Sequence, residues 1–149
     1  MKIRIPKQSG KDIDNLILSK LNDEKAKIGD QIEAKVAYFI KNDMGKELTD
    51  FGNKVKDSNK QPVGDIDCGM EDVLIEVKKS VSPIKEKQFY KYINYDEEEY
   101  INILNKKVIL YIDEAMKNFS MQDKKKLESI EKMGVTIVNG LEELRGMLE

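Results

Sequence analysis

The stretch Gly64-Asp-Ile-Asp-Cys-Gly-Met-Glu-Asp-Val-Leu-Ile-Glu-Val-Lys78 decides how this chain is read. Residues 63–68 and 73–79 each alternate in polarity, the two-residue period of a strand. Gly69 and the acidic pair Glu71-Asp72 lie between them, where a hairpin connection belongs. Residues two apart on a strand share a face. Ile66 and Cys68 therefore face away from Asp65 and Asp67, and Val73, Ile75 and Val77 face away from Glu76 and Lys78. The apolar side is expected to meet the core. The other side gathers Asp67, Glu76 and Lys78 across the turn.

On either side of the hairpin the periodicities change. Upstream, residues 1–10 read as an extended lead-in, either a strand or the tail of a linker. A weakly amphipathic helix is expected over 11–22 and a stronger one over 29–43, where Ile32, Val36, Phe39 and Ile40 recur at helical spacing. A glycine-containing polar segment follows, with one short strand around 47–55. Downstream, Ser82-Pro83 suggests a helix start, with Pro in the first turn, running to about Ile93. The continuous apolar run 107–112 reads as a buried central strand. A helix over 120–133 ending at Gly134, a strand over 135–138 and a closing helix over 141–148 complete the order. The expected fold class is α/β: one domain with a mixed sheet and helices on both faces.

Composition narrows the chemistry. The 149 residues contain no histidine, which excludes Ser-His-Asp and Cys-His catalysis, histidine zinc sites and nucleases with a histidine base. Hydrolytic chemistry must then come from carboxylates, lysines and a bound cation. Cys68 is the single cysteine, so no internal disulfide forms. Its parity makes it a small buried hydrophobe. No run is long and apolar enough to span a membrane, and Lys2, Arg4 and Lys7 are not followed by the apolar run of a signal peptide. The net charge of −2 does not advertise a nucleic-acid binder, but Lys78, Lys79, Lys85, Lys87 and Lys91 form a local basic patch that can attract phosphates. An acidic run occupies 96–99.

An acidic residue, any residue and then Lys occurs four times, from Asp23, Glu33, Glu76 and Asp123, as chance allows in a lysine-rich chain. Only the Glu76 copy lies on an alternating strand with an aspartate, Asp67, across a turn. Two carboxylates and a lysine there can hold a divalent cation and a phosphate together, since Mg²⁺ prefers oxygen ligands. Such a cation lowers the pKa of water and neutralises a pentacovalent phosphate, while Lys78 orients the water or offsets developing negative charge. Glu33 adds a second element. At 100° per residue it falls within the apolar arc of its helix, between Ile40 and Met44, and a carboxylate there needs a partner or a metal. Gln88, between Ile84, Tyr92 and Tyr95 on its expected helix, is open to two readings: a contact to phosphate or lysine, or a satisfied polar core residue.

Glu33 on a first helix, Asp67, and Glu76-Val77-Lys78 together resemble the PD-(D/E)xK nuclease superfamily, the restriction-endonuclease-like fold. Gly64-Asp-Ile-Asp67 and Ile75-Glu-Val-Lys78 look like the corresponding pieces of its resolvase-like members, although Ile66 stands where a proline usually precedes the aspartate. The resemblance spans about 29–112. It implies an αβββαβ core, catalytic Glu33, Asp67, Glu76 and Lys78, a Mg²⁺ or Mn²⁺ ion held by Asp67, Glu76 and Glu33, and endonucleolytic cleavage of DNA or tRNA. Gln88, Lys79, Ser80 and Lys85 follow as candidates for substrate contact. The opening Arg4-Ile-Pro-Lys-Gln-Ser-Gly-Lys11 also looks like the start of nuclease domains of bacterial polymorphic toxins, including contact-dependent growth inhibition proteins. That likeness implies delivery from a cell surface, action in the target-cell cytoplasm and a cognate immunity protein; without it a cytoplasmic enzyme is expected. The competing expectation is a non-catalytic module that binds nucleic acid or a partner on the same fold.

Overall fold

The apolar run at residues 107–112 forms strand β5 (Lys107–Ile112), buried from Val108 to Ile112. A strand with both faces covered must lie inside a sheet flanked by two layers, and that position organises the rest. The structure is a computed structural model describing residues 3–93 and 100–149. Tyr95 and the acidic run 96–99 fall outside the described residues.

Six strands make one mixed sheet whose spatial order follows the chain: β1 (Ile3–Arg4), β2 (Asp50–Asp57), β3 (Pro62–Gly69), β4 (Val73–Lys78), β5 and β6 (Thr136–Asn139). Pairing is antiparallel from β1 to β4 and parallel from β4 to β6. Parallel neighbours require a crossover, and α4 (Met121–Lys132) supplies the one between β5 and β6. Its start is held by a reciprocal cap in which Ser120 and Asp123 exchange hydrogen bonds of 3.0 Å.

Helices α1 (Gly10–Asn22), α2 (Ile28–Tyr38) and α5 (Leu141–Leu148) cover one face, packing Ile13, Ile17, Val36 and Leu144 onto Cys68, Ile75 and Tyr111. The second face carries another core. Leu74, Val108, Leu110 and Ile112 meet Phe89, Tyr92, Leu127 and Ile130 there, from α3 (Tyr90–Ile93), the 3-10 turn before it (Glu86–Phe89) and α4. The side of β4 that carries Glu76 and Lys78 is thus a second apolar layer as well as the polar side.

The sequence expectation put Ile66 and Cys68 on one face; the structure assigns them to different cores. Phe51 and Val55 on β2 divide in the same way. Between them Gly52 has φ 53°, a left-handed conformation that glycine adopts without a Cβ penalty.

A second correction concerns residues 82–93. No helix begins at Ser82-Pro83; the chain makes a turn in which the Ile84 N–H donates to the Val81 carbonyl at 2.9 Å, and helical structure starts at Glu86. Val81 and Ile84 are both buried in the second core. This turn buries both side chains, so their apolar spacing is satisfied without a helix. The strand expected over 47–55 runs from Asp50 to Asp57. The N-terminal segment is a docked strand: Ile3 and Arg4 pair with Asp57 and Lys56. Gln8 extends the docking with its side chain, donating to the Phe51 carbonyl at 2.9 Å and accepting the Phe51 N–H at 2.7 Å. Among the described residues no helix is long and apolar enough to cross a membrane.

Candidate functional site

The site begins where two strands part. β3 and β4 pair only at Cys68 with Ile75 and Gly69 with Leu74, although β3 stays paired with β2 to Pro62 and β4 with β5 to Lys78. Asp67 stands at the fork. Its Oδ2 accepts the Val77 N–H at 2.9 Å, replacing a ladder bond lost where the strands diverge. Asp67, Glu76 and Tyr92 help wall a cavity of about 10 Å³ in the fork, room for a single water.

Helix α2 brings Glu33 to the same point, where its carboxyl neighbours that of Asp67. A hydrogen bond between two acids needs one proton. Burial first, and then the neighbouring Glu33, push the Asp67 carboxyl well above its ordinary range. Glu33 is also raised by burial, partly countered by its bond to Asp67 and by the Lys20 ammonium. Asp30, one turn earlier on α2, is a further hydrogen-bond neighbour of Glu33.

Glu76 and Lys78 share a face of β4, and the Lys78 Nζ lies 3.4 Å from Glu76 Oε1. Burial, then the Asp67 charge, raise the Glu76 carboxyl to about 7 despite that lysine. The Tyr92 hydroxyl lies 2.9 Å from Glu76 Oε2 and 3.1 Å from the Asp65 carbonyl, its one proton serving either. Burial and the Glu76 charge keep that hydroxyl protonated by raising its pKa. The Lys91 Nζ sits 5.4 Å from the Tyr92 ring centroid and against Gly64, where a Cβ would meet it at 3.1 Å. Glycine at 64 therefore leaves room for that ammonium.

These groups open onto a cleft of about 450 Å³. Glu33, Asp67, Glu76, Lys78 and Lys79 line it, as the sequence reading expected, and so do Asp30, Asp65, Lys27, Lys91 and Tyr92. Ser80 and Lys85 are not among the lining residues. Gln88 is not either: its Oε1 accepts the Lys85 N–H at 3.4 Å and stabilises the turn ahead of α3. The sequence reading missed Asp30 and the role of Tyr92. Asp30 was legible in principle, lying three residues before Glu33 on one helix. Tyr92 carried no sequence signal beyond its place in an apolar arc, because its bond to Glu76 joins residues sixteen apart.

Among the described residues no three Asp, Glu or Cys side chains converge as a formed metal cage. The donor set nevertheless suits a hard cation. It offers only oxygen ligands, and its acids are raised chiefly by burial, with Asp67 and Glu76 each pushed further by a neighbouring carboxylate. Glu33, Asp67 and Glu76 are the residues that would hold such an ion. Comparison with protein-family models, curated proteins and solved structures returns no significant match.

Proposed function

We propose that this chain is a divalent-cation-dependent endonuclease of the PD-(D/E)xK kind, hydrolysing phosphodiester bonds with Mg²⁺ or Mn²⁺. The observation that carries the reading is the meeting of Glu33, Asp67, Glu76 and Lys78, from three elements, in one lysine-walled cleft. Their acids are held in a state that a cation would relieve. A bound divalent cation supplies charge neutralisation for the phosphate and acidifies water. In this scheme the chain's own groups do the rest. Lys78 donates toward negative charge developing on the phosphate. The Tyr92 hydroxyl fixes the Glu76 carboxylate, and the Val77 N–H fixes Asp67. Lys79 and Lys91 draw the phosphate backbone to the cleft wall.

DNA is the favoured substrate and tRNA the other. Incubation with plasmid DNA and total tRNA, with and without Mg²⁺, tests the reading directly. Cleavage should require the metal, vanish in EDTA, and be lost in Asp67→Ala, Glu76→Ala and Lys78→Ala proteins that remain folded. Undiminished activity in EDTA would sink it.

We propose further that the domain is the toxic effector of a bacterial toxin–immunity system, delivered from a cell surface and neutralised by a cognate immunity protein. Induced expression in bacteria should arrest growth, and the Glu76→Ala protein should not; equal toxicity of the two rejects this role. One observation favours a second reading, a non-catalytic binding module: no metal cage is formed among the described residues. Calorimetric titration with Mn²⁺ separates the two, since the module would take up no metal and cleave no nucleic acid.

A further inference from the structure

A second cleft of about 450 Å³ lies against the first and shares Asp30, Glu33, Asp65 and Asp67 with it. Its other walls are Leu16 and Lys20 from α1 and Phe51, Gly52 and Lys54 from β2. The carboxylates thus stand midway along a groove, with Lys78, Lys79 and Lys91 lining one half and Lys20 and Lys54 the other.

The two lysines of the second half are placed by the fold. The Lys20 Nζ lies 5.1 Å from the Phe51 ring centroid, held by the ring's negative face. It passes over Gly52, where a Cβ would come within 3.4 Å. The glycine that adopts this left-handed conformation also leaves the space Lys20 crosses. Lys54 pairs in register with Asp65 across β2 and β3, which puts both side chains on the groove face. A polyanion entering this half would meet Asp30, Glu33, Asp65 and Asp67 as like charges. Lys20 and Lys54 are the cations lining that half that can offset the repulsion.

We infer that Lys20 and Lys54 form a phosphate subsite on the side of the carboxylates opposite Lys78, so that a polynucleotide strand runs through the groove and continues beyond it at both ends. This rests on the nuclease reading and deepens it: the substrate is the interior of a strand, contacted on both sides of the scissile bond. The same arrangement binds DNA or RNA, because the contact is to the backbone.

The test is steady-state cleavage of plasmid DNA and tRNA by wild type, Lys20→Gln, Lys54→Gln and the double variant over a range of salt. An exposed lysine on α4, Lys125→Gln, is the control. The double variant should raise KM about tenfold, leave kcat within about threefold, and reduce the slope of log binding against log salt by about two, one per lost phosphate contact. Anisotropy of a labelled DNA duplex and labelled tRNA on the inactive Asp67→Asn protein should show the same weakening. Lys54 is exposed, so Lys54→Gln alone, with about a threefold effect, keeps the test readable if Lys20→Gln loosens α1. An unchanged KM and salt slope in a cleaving enzyme overturns the subsite and leaves the nuclease reading standing. A fall in kcat at constant KM also overturns it, because the lysines would then act on Glu33 and not on phosphate. A wild-type protein that neither cleaves nor binds nucleic acid overturns both.

Discussion

Asp50 on β2 and Asp67 on the neighbouring antiparallel strand β3 are carboxylates treated in opposite ways. Asp50, at the start of β2, is 7% exposed and surrounded by donors. Thr49 Oγ1 donates to its Oδ2 at 2.8 Å and Asn53 Nδ2 to its Oδ1 at 2.6 Å. The Asn53 amide also donates to the Pro6 carbonyl at 2.7 Å, so the cluster ties the N-terminal segment to the sheet. Gly69 leaves room for it; a Cβ there would come within 2.8 Å of Asp50. Asp67, two positions before Gly69, receives one backbone donor and faces another acid. A buried carboxylate encircled by donors costs little and anchors structure. Buried carboxylates that face one another are destabilising and persist where something else, here the proposed cation, offsets the repulsion.

This contrast can be broken most decisively with Asp67→Asn and Asp50→Ala. Asparagine at 67 can still accept the Val77 N–H and donate to Glu33, so the fold should hold while kcat/KM for plasmid cleavage falls on the order of a thousandfold. Asp50→Ala should leave cleavage within a few-fold. If both lose activity equally, the two clusters are not functionally distinct.

The pH dependence of the metal-free protein comes next. The Glu76 carboxyl rises from 4.5 to about 7 on folding. Between those values the folded state binds more protons than the unfolded one, so stability is full below pH 4.5 and falls as pH rises toward 7. For this group the loss is at most about 3 kcal/mol. Asp67, raised for the same reason, acts in the same direction. Glu76→Gln keeps an acceptor for Tyr92 and removes the charge. In EDTA at pH 8 it should be more stable than wild type and show a shallower decline with pH in urea titrations. An identical decline in both proteins would reject the assignment to Glu76.

A smaller effect is expected at the anchoring cluster. Asp50→Ala strands one Asn53 amide proton in a buried setting, while the exposed Thr49 hydroxyl can turn to water, and should cost about 2 kcal/mol in urea unfolding. No loss at all would mean that water replaces the carboxylate. Smallest is Gln8→Ala, which frees the Phe51 backbone N–H and carbonyl. About 1 kcal/mol is expected, together with faster amide hydrogen exchange at Phe51; unchanged exchange there would show that the Gln8 docking is dispensable.

How much of this could be read beforehand differs from residue to residue. The hairpin, the buried strand at 107–112 and the helix at 121–132 were legible, because local period and caps decide them: β3 and β4 begin and end within a residue or so of the alternating runs. Glu33 was legible because a helical wheel places it on the buried arc whatever it packs against. Gln88 was misplaced because its wheel assumed a helix that does not start until Glu86, and a residue in a 3-10 turn points elsewhere.

The sequence by itself determined most of the elements, the placing of Asp67 beside the Glu76-Lys78 strand and the inward aspect of Glu33, since each follows from a periodicity of two or of 3.6 residues. The tertiary structure alone decided that β3 and β4 part at Asp67, that Phe51 and Val55 of one strand serve different cores, and that Tyr92 closes on Glu76. It also placed Lys20 and Lys54 on the far side of the acids. The physical reason is common to all of these. Each depends on what lies opposite in space, and burial against residues distant in the chain outweighs the few tenths of a kcal/mol by which local preference distinguishes one conformation from another.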